Sequence, residues 1–278
     1  MPYGFLKHLE NKGYSQDTIQ SYEKVIKSFF GYLSYVYKKD VDLIEISPAD
    51  IKKYLKEQLN RKKSIPTINK ELSILKTFFN YLWEKNLIAI DHAVKIKAMN
   101  QIKQPTVEYD YIELKKVLPQ VLRNPNYTLE RKSIYSLALK GFKTADYRFR
   151  KDDVNFIDNY RVKIALRNRE IILDGEEAVI FRQYYKSLIS EETEYVFRTK
   201  KIKNGGGGPV QVMTILYHLR KISKDYFPDH DKPLNLMLIR KAYLINLYQQ
   251  KRPLQEIAKI LGVNDFSVSC YLKRLNIR

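Results

Sequence analysis

The stretch from Leu234 to Leu272 constrains the fold most tightly. Leu238, Tyr243, Leu244 and Leu247 recur at helical spacing, Pro253 opens a second helix, and Gly262 closes it after Leu261. A third short helix follows Asn264 and carries Val268, Tyr271 and Leu272. The end of the chain is therefore read as helices separated by short turns.

The same periodicity governs residues 1–97. Phe5, Leu6 and Leu9 make one apolar stripe. Ser15-x-x-Thr18 caps a helix striped with Ile19, Tyr22, Val25, Ile26, Phe29, Phe30 and Leu33. Ser47-Pro48-Ala49-Asp50 starts another, because serine caps and a proline in the first turn loses no needed N–H. A basic turn, Asn60 to Ser64, leads to a fourth helix opened by Pro66-Thr67, with Ile68, Leu72, Leu75, Phe78, Phe79 and Leu82 on one side. Residues 98–107 lose periodicity around Pro105 and are read as a linker.

From 108 to 278 the pattern is mixed. Helices are expected over Tyr111–Leu122, Leu129–Leu139, Val179–Ile189 and Val210–Tyr226. Arg161 to Leu166 and Glu170 to Leu173, separated by Arg167-Asn168-Arg169, predict a β-hairpin. The glycine run before Pro209 lacks the Gly-Lys-Ser/Thr of a phosphate loop, which excludes that mode of nucleotide binding.

Composition narrows the function. The formal net charge is +19, which favours a polyanionic partner, and nucleic acid is the usual one. Abundant Lys, Ile, Asn, Tyr and Phe also fit an AT-rich coding sequence, so part of the lysine surplus is compositional. Four scattered histidines show no metal-ligand spacing, and no cofactor is expected. The single cysteine, Cys270, excludes an internal disulfide and fits a reducing compartment. No apolar run of about 18 residues and no signal-peptide pattern is found, so a cytoplasmic protein associated with a bacterial nucleoid is expected.

Several segments carry a resemblance. Ser15-x-x-Thr18…Tyr22, Ile46-Ser47-x-x-Asp50-Ile51-x-x-Tyr54-Leu55 and Thr67-x-Asn69-Lys70-x-Leu72 through Leu82 resemble, in order and spacing, the core-binding domain of the tyrosine recombinase (phage integrase) family. Ala138 to Asp146 aligns with that family's Thr-Gly-x-Arg-x-x-Glu box. Arg240 stands where the arginine of the His-x-x-Arg box stands, and Leu261-Gly262 and Tyr271 continue the frame. The resemblance implies a mainly α protein: a four-helix SAM-like DNA-binding domain (1–97), a linker (98–107), and a recombinase-like α+β domain with a small β-hairpin or sheet (108–278). It also implies DNA contacts by Arg61, Lys62, Lys63, Thr67, Asn69, Lys70 and Lys76, the bland alternative being a solvated helix face. In the second domain the implied contacts are Lys143, Arg167, Arg169, Arg240, Lys241, Tyr271, Lys273 and Arg274.

The catalytic pattern is incomplete. Lys143 replaces the first box arginine, Asp146 its glutamate, Met237 the box histidine, and Val263 the second histidine or tryptophan. The hairpin turn offers Arg167 and Arg169 where the family has a proton-donating lysine, and arginine is a poor general acid. Lys163 lies off that position. The segment after Tyr271 is short, and the family's docking tail is expected to be absent. The expectation is a sequence-specific double-stranded-DNA-binding protein, catalytically inactive, acting as regulator or repressor of a phage or mobile element. It would bind as a monomer or weak dimer, with a small regulatory protein or peptide as a further candidate partner. The alternatives are a working recombinase in which Lys143 and Arg169 do the missing jobs, a C-terminal helix-turn-helix reading DNA from Ser267 onward, and a protein-interaction module with incidental basic charge.

Overall fold

The computed structural model describes residues 2–100, 108–189, 193–199 and 207–274. The chain divides into two compact units, Met1–Gln104 and Pro105–Arg278. Residues 101–107 of the expected linker lie outside the described residues. No helix among the described residues is long and apolar enough to cross a membrane.

The first unit is a bundle of α1 (Phe5–Asn11), α2 (Gln16–Tyr37), α3 (Pro48–Asn60) and α4 (Ile65–Glu84). The expected cap forms at Ser15, while at Ser47 the helix start is closed by the Asp50 carboxylate and not by the serine hydroxyl. Ser15 Oγ accepts from the Thr18 N–H at 3.3 Å, and the Ser47 N–H donates to Asp50 Oδ2 at 2.9 Å. The apolar stripes meet in an aromatic core in which Phe5, Phe29, Tyr54, Phe78 and Phe79 are fully buried. The Phe29 and Tyr54 rings meet edge to face at 5.3 Å, a favoured arrangement.

The second unit is organised around α6 (Leu129–Leu139). Every residue from Arg131 to Leu139 is buried, because α5 (Tyr111–Arg123), α7 (Glu176–Lys186), α8 (Val212–Tyr226) and α9 (Leu236–Gln249) all pack against it. Strands β1 (Val154–Phe156), β2 (Arg161–Leu166) and β3 (Arg169–Asp174) form one antiparallel sheet in that order, and Leu166 pairs with Arg169 across a two-residue turn. Val162, Ile164, Ile171 and Leu173 turn one sheet face into the core. β1 escapes the sequence reading because three residues are too few to show a period.

The helix expected at Val179–Ile189 begins three residues earlier. Gly175, at φ 57°, breaks the strand, and Glu176 and Glu177 suit the positive end of a helix. Finally α9, α10 (Leu254–Leu261) and α11 (Asp265–Arg274) close on a small core of Leu244, Leu247, Ile257, Leu261, Val268 and Leu272. Gly262, at φ 62°, ends α10, and Asn264 Oδ1 accepts from the Ser267 N–H at 2.8 Å to start α11.

Candidate functional site

The loop after α6 sets the site. Gly141 has φ 75°, and a Cβ built there would lie 3.0 Å from Tyr243 Cδ1 and 3.1 Å from Leu261 Cδ2. Only glycine accepts both the left-handed backbone and that approach. Asp146 Oδ2 accepts from the Lys143 backbone N–H at 3.1 Å and so closes the following turn. The Lys143 side chain is exposed.

This loop and the end of α10 bring two helix C-termini together, each with carbonyls lacking a partner inside its own helix. Two arginines satisfy them. Arg169 Nη1 donates to the carbonyls of Lys140 (3.1 Å) and Ile260 (2.6 Å), and Nη2 to Gly141 O (3.0 Å) and Asp146 Oδ2 (3.1 Å). Arg240 Nη1 donates to the same Gly141 carbonyl, and Nη2 to Leu261 O at 2.6 Å. Cations at helix C-termini also oppose the helix dipoles. Burial lowers both guanidinium pKa values; Asp146 opposes this at Arg169, and the Arg169 charge adds to it at Arg240.

This corrects one expectation. Arg169 was expected to meet DNA at the hairpin turn, but its side chain is only 4 % exposed and all its contacts are internal. The strand pairing of Arg169 with Leu166 turns the side chain back toward the helix ends. Arg167, one step into the turn, is exposed as expected. Lys163 forms a pair with Glu170 Oε1 at 3.1 Å on the sheet.

Two cavities flank the loop. A polar one of about 470 Å³ is lined by Lys143, Asp146, Arg148, Arg167, Asn168 and Gly262, among others. Arg148 was missed by sequence reasoning; a second exposed cation in the same loop was the available signal. A smaller one, about 300 Å³, brings Lys143, Arg240 and Tyr271 together with Met237 and Val263. The family frame thus places its remnants in one cavity, with apolar side chains where histidines were sought. Tyr271 lies there as a half-buried residue. Lys241 is half-buried and Lys273 exposed, while the side chain of Arg274 lies outside the described residues.

In the first unit the expected contact residues separate into two groups. Arg61 and Lys62 are exposed, and Arg61 pairs with Glu57 at the surface (3.0 Å). Thr67 shares a hydrogen bond with Ser64, and Lys70 donates to Ser21 Oγ at 2.9 Å; both stay exposed. Lys63 instead turns to the buried Glu71 (2.6 Å), which also accepts from the Tyr54 hydroxyl. Lys76 donates to Val94 O at 3.1 Å. Asn69 is the clearest correction: its amide donates to Met99 O (2.9 Å) and accepts from Met99 N (2.8 Å), so it ties down the chain after α4.

Known proteins resemble this chain in sequence and in fold. The model of the phage integrase N-terminal SAM-like domain matches residues 3–86. A putative tyrosine recombinase of Caldanaerobacter subterraneus is 24% identical over 273 residues, covering 93% of this chain and 87% of that protein. The tyrosine recombinase XerC of Leptospira interrogans is 22% identical over 285 residues, covering 95% and 85%. Among solved structures, the XerH site-specific recombinase bound to its palindromic difH substrate matches with a TM-score of 0.72 at 15% identity, over 97% of this chain and 81% of that one.

Proposed function

We propose that this chain, which belongs to the tyrosine recombinase family, is a sequence-specific double-stranded-DNA-binding protein that no longer carries out strand transfer. Regulation, as a repressor of a phage or mobile element, is the employment that reading fits. The XerH neighbour is a DNA complex, and the cations that face solvent here, Lys143, Arg148 and Arg167 in one unit and Arg61 and Lys62 in the other, suit phosphate contacts.

The observation that carries the inactive reading is the confinement of Arg169. The residue at the hairpin turn holds four internal acceptors, and a guanidinium keeps its proton, which makes it a poor general acid. Lysine at 143 keeps charge but loses the two-pronged guanidinium contact with phosphate. Losing one preorganised donor costs about 10²–10³ in rate, and losing a general acid about 10²–10⁴ more. Apolar Met237 and Val263 supply neither group.

A second reading, a weakly active recombinase, is favoured by the convergence of Lys143, Arg240 and Tyr271 on one cavity. A suicide-substrate assay decides. No covalent protein–DNA adduct is expected; an adduct that disappears in Tyr271→Phe refutes the inactive reading. Footprinting on DNA around the coding region tests the repressor role, and protection at one defined site is expected there.

A further inference from the structure

The cavity that Lys143, Arg240 and Tyr271 line is mixed in chemistry. Lys143 and Arg240 bring two cations to it, and Leu236, Met237, Leu244, Val263 and Val268 give it an apolar wall. Met237 is 65% exposed and Val263 37%, so this apolar surface stands open to water. Arg240 donates to the neutral carbonyls of Gly141 and Leu261, the nearby Asp146 is paired with Arg169, and among the described residues no carboxylate pairs with Lys143. A bare phosphate would satisfy the cations and leave the apolar wall wet. At about 300 Å³ the space is at the small end of ligand sites, which are mostly apolar with a few convergent polar groups.

We infer that this cavity binds a small amphipathic anion, a carboxylate or phosphate monoester with an apolar body, in competition with DNA. The head group lies between Lys143 and Arg240, and the tail runs along Leu236, Met237 and Val263. The inference deepens the proposed function, because it rests on the reading of the same cavity as a phosphate grip. A single negative head is enough for the two cations, and the tail replaces water over the apolar wall. Such a ligand would release the protein from DNA without any change at the phosphate contacts of the first unit.

The test is calorimetric titration of the full chain with octanoate, octyl phosphate, octanol and inorganic phosphate. Octanoate and octyl phosphate should bind saturably at one site, each about tenfold or more tighter than inorganic phosphate or octanol, and their order identifies the preferred head. From butanoate to octanoate, affinity should rise about fourfold per methylene until the cavity is full. Met237→Glu, at an exposed position, should lower octanoate affinity about tenfold or more by setting like charges together. Lys143→Met should remove the preference for octanoate over octanol. Inorganic phosphate binding as well as octanoate, octanol binding as well as octanoate, or an unchanged Met237→Glu each overturns the inference. In fluorescence anisotropy at fixed ionic strength, octanoate should displace a bound duplex; a duplex retained at saturating octanoate overturns the competition. A chain that binds octanoate but no duplex sinks the proposed function and leaves the ligand site standing.

Discussion

Replacing Arg169 by methionine tests the account of the site most directly. The substitution keeps much of the side-chain length and removes the guanidinium that joins β3 to the ends of α6 and α10. Removing one member of a buried ion pair costs about 3–5 kcal/mol, because the partner is left charged and unpaired. Asp146 is 12% exposed and keeps its bond from the Lys143 N–H, which places the loss near the lower limit, about 3 kcal/mol. For a unit of this size that is a fall of about 6–12 °C in Tm. Urea unfolding should be followed by far-ultraviolet circular dichroism and, separately, by fluorescence of Trp83, the single tryptophan, which lies in α4 of the other unit. The tryptophan transition should stay in place while part of the dichroism transition shifts. Adding Asp146→Asn to the variant should recover about 1 kcal/mol or more, since it removes the orphaned charge. Arg167→Met is the control: stability should change by less than about 0.5 kcal/mol, and the salt dependence of DNA binding should fall by about one phosphate. If Arg169→Met were the variant that lost a phosphate contact while its stability stayed within about 0.5 kcal/mol of the parent, the structural role assigned to it would be refuted.

Three further outcomes are expected. Asn69→Ala should cost about 1–2 kcal/mol in the Trp83-reported transition, from two hydrogen bonds to Met99, and leave the salt dependence of DNA binding unchanged. Gly141→Ala should cost about 1–2 kcal/mol for the left-handed backbone and more for the contact with Tyr243, and in urea titrations its effect should be less than additive with Tyr243→Leu. Glu177 gives a pH signature: burial raises its pKa and Lys140 opposes, so the folded value lies above the unfolded one. Its contribution to stability is therefore complete at low pH, below the unfolded value of about 4.3, and is lost as pH rises through the folded value. Glu177→Gln should flatten that part of the stability curve, read from urea midpoints across pH.

Where a local rule decides, the chain is legible without its structure. The helix starts at Ser15 and Ser47, the span of α6 and the helix stop at Gly262 all follow from one or two residues. The likeness of Ala138–Asp146 and Arg240 to the recombinase boxes placed Lys143, Arg240 and Tyr271 in one cavity. What could not be read is the direction of long polar side chains. Arg169 turns inward because Ile260, 91 positions along, brings an unpartnered carbonyl within reach. Lys63 and Asn69 likewise have their partners fixed by how α4 packs. A basic residue in a sequence does not say whether its counter-charge is a phosphate, a carboxylate or a helix end; only packing chooses. The helical character of α6 was clear, but its enclosure on all sides was not, since Arg131 and Lys132 mark it as a surface element.

The Gly141 carbonyl, taken up by two guanidiniums at once, also governs which positions are free to drift. Arg240 serves as a plug for open helix ends, so its loss would damage the fold before it could alter any reaction. Lys143, Met237 and Val263 stand at the rim and hold nothing up. Those three depart from the recombinase pattern while the plug is retained. In this architecture a substitution is cheap at the rim and costly at the plug, because only the plug carries a share of the fold's stability.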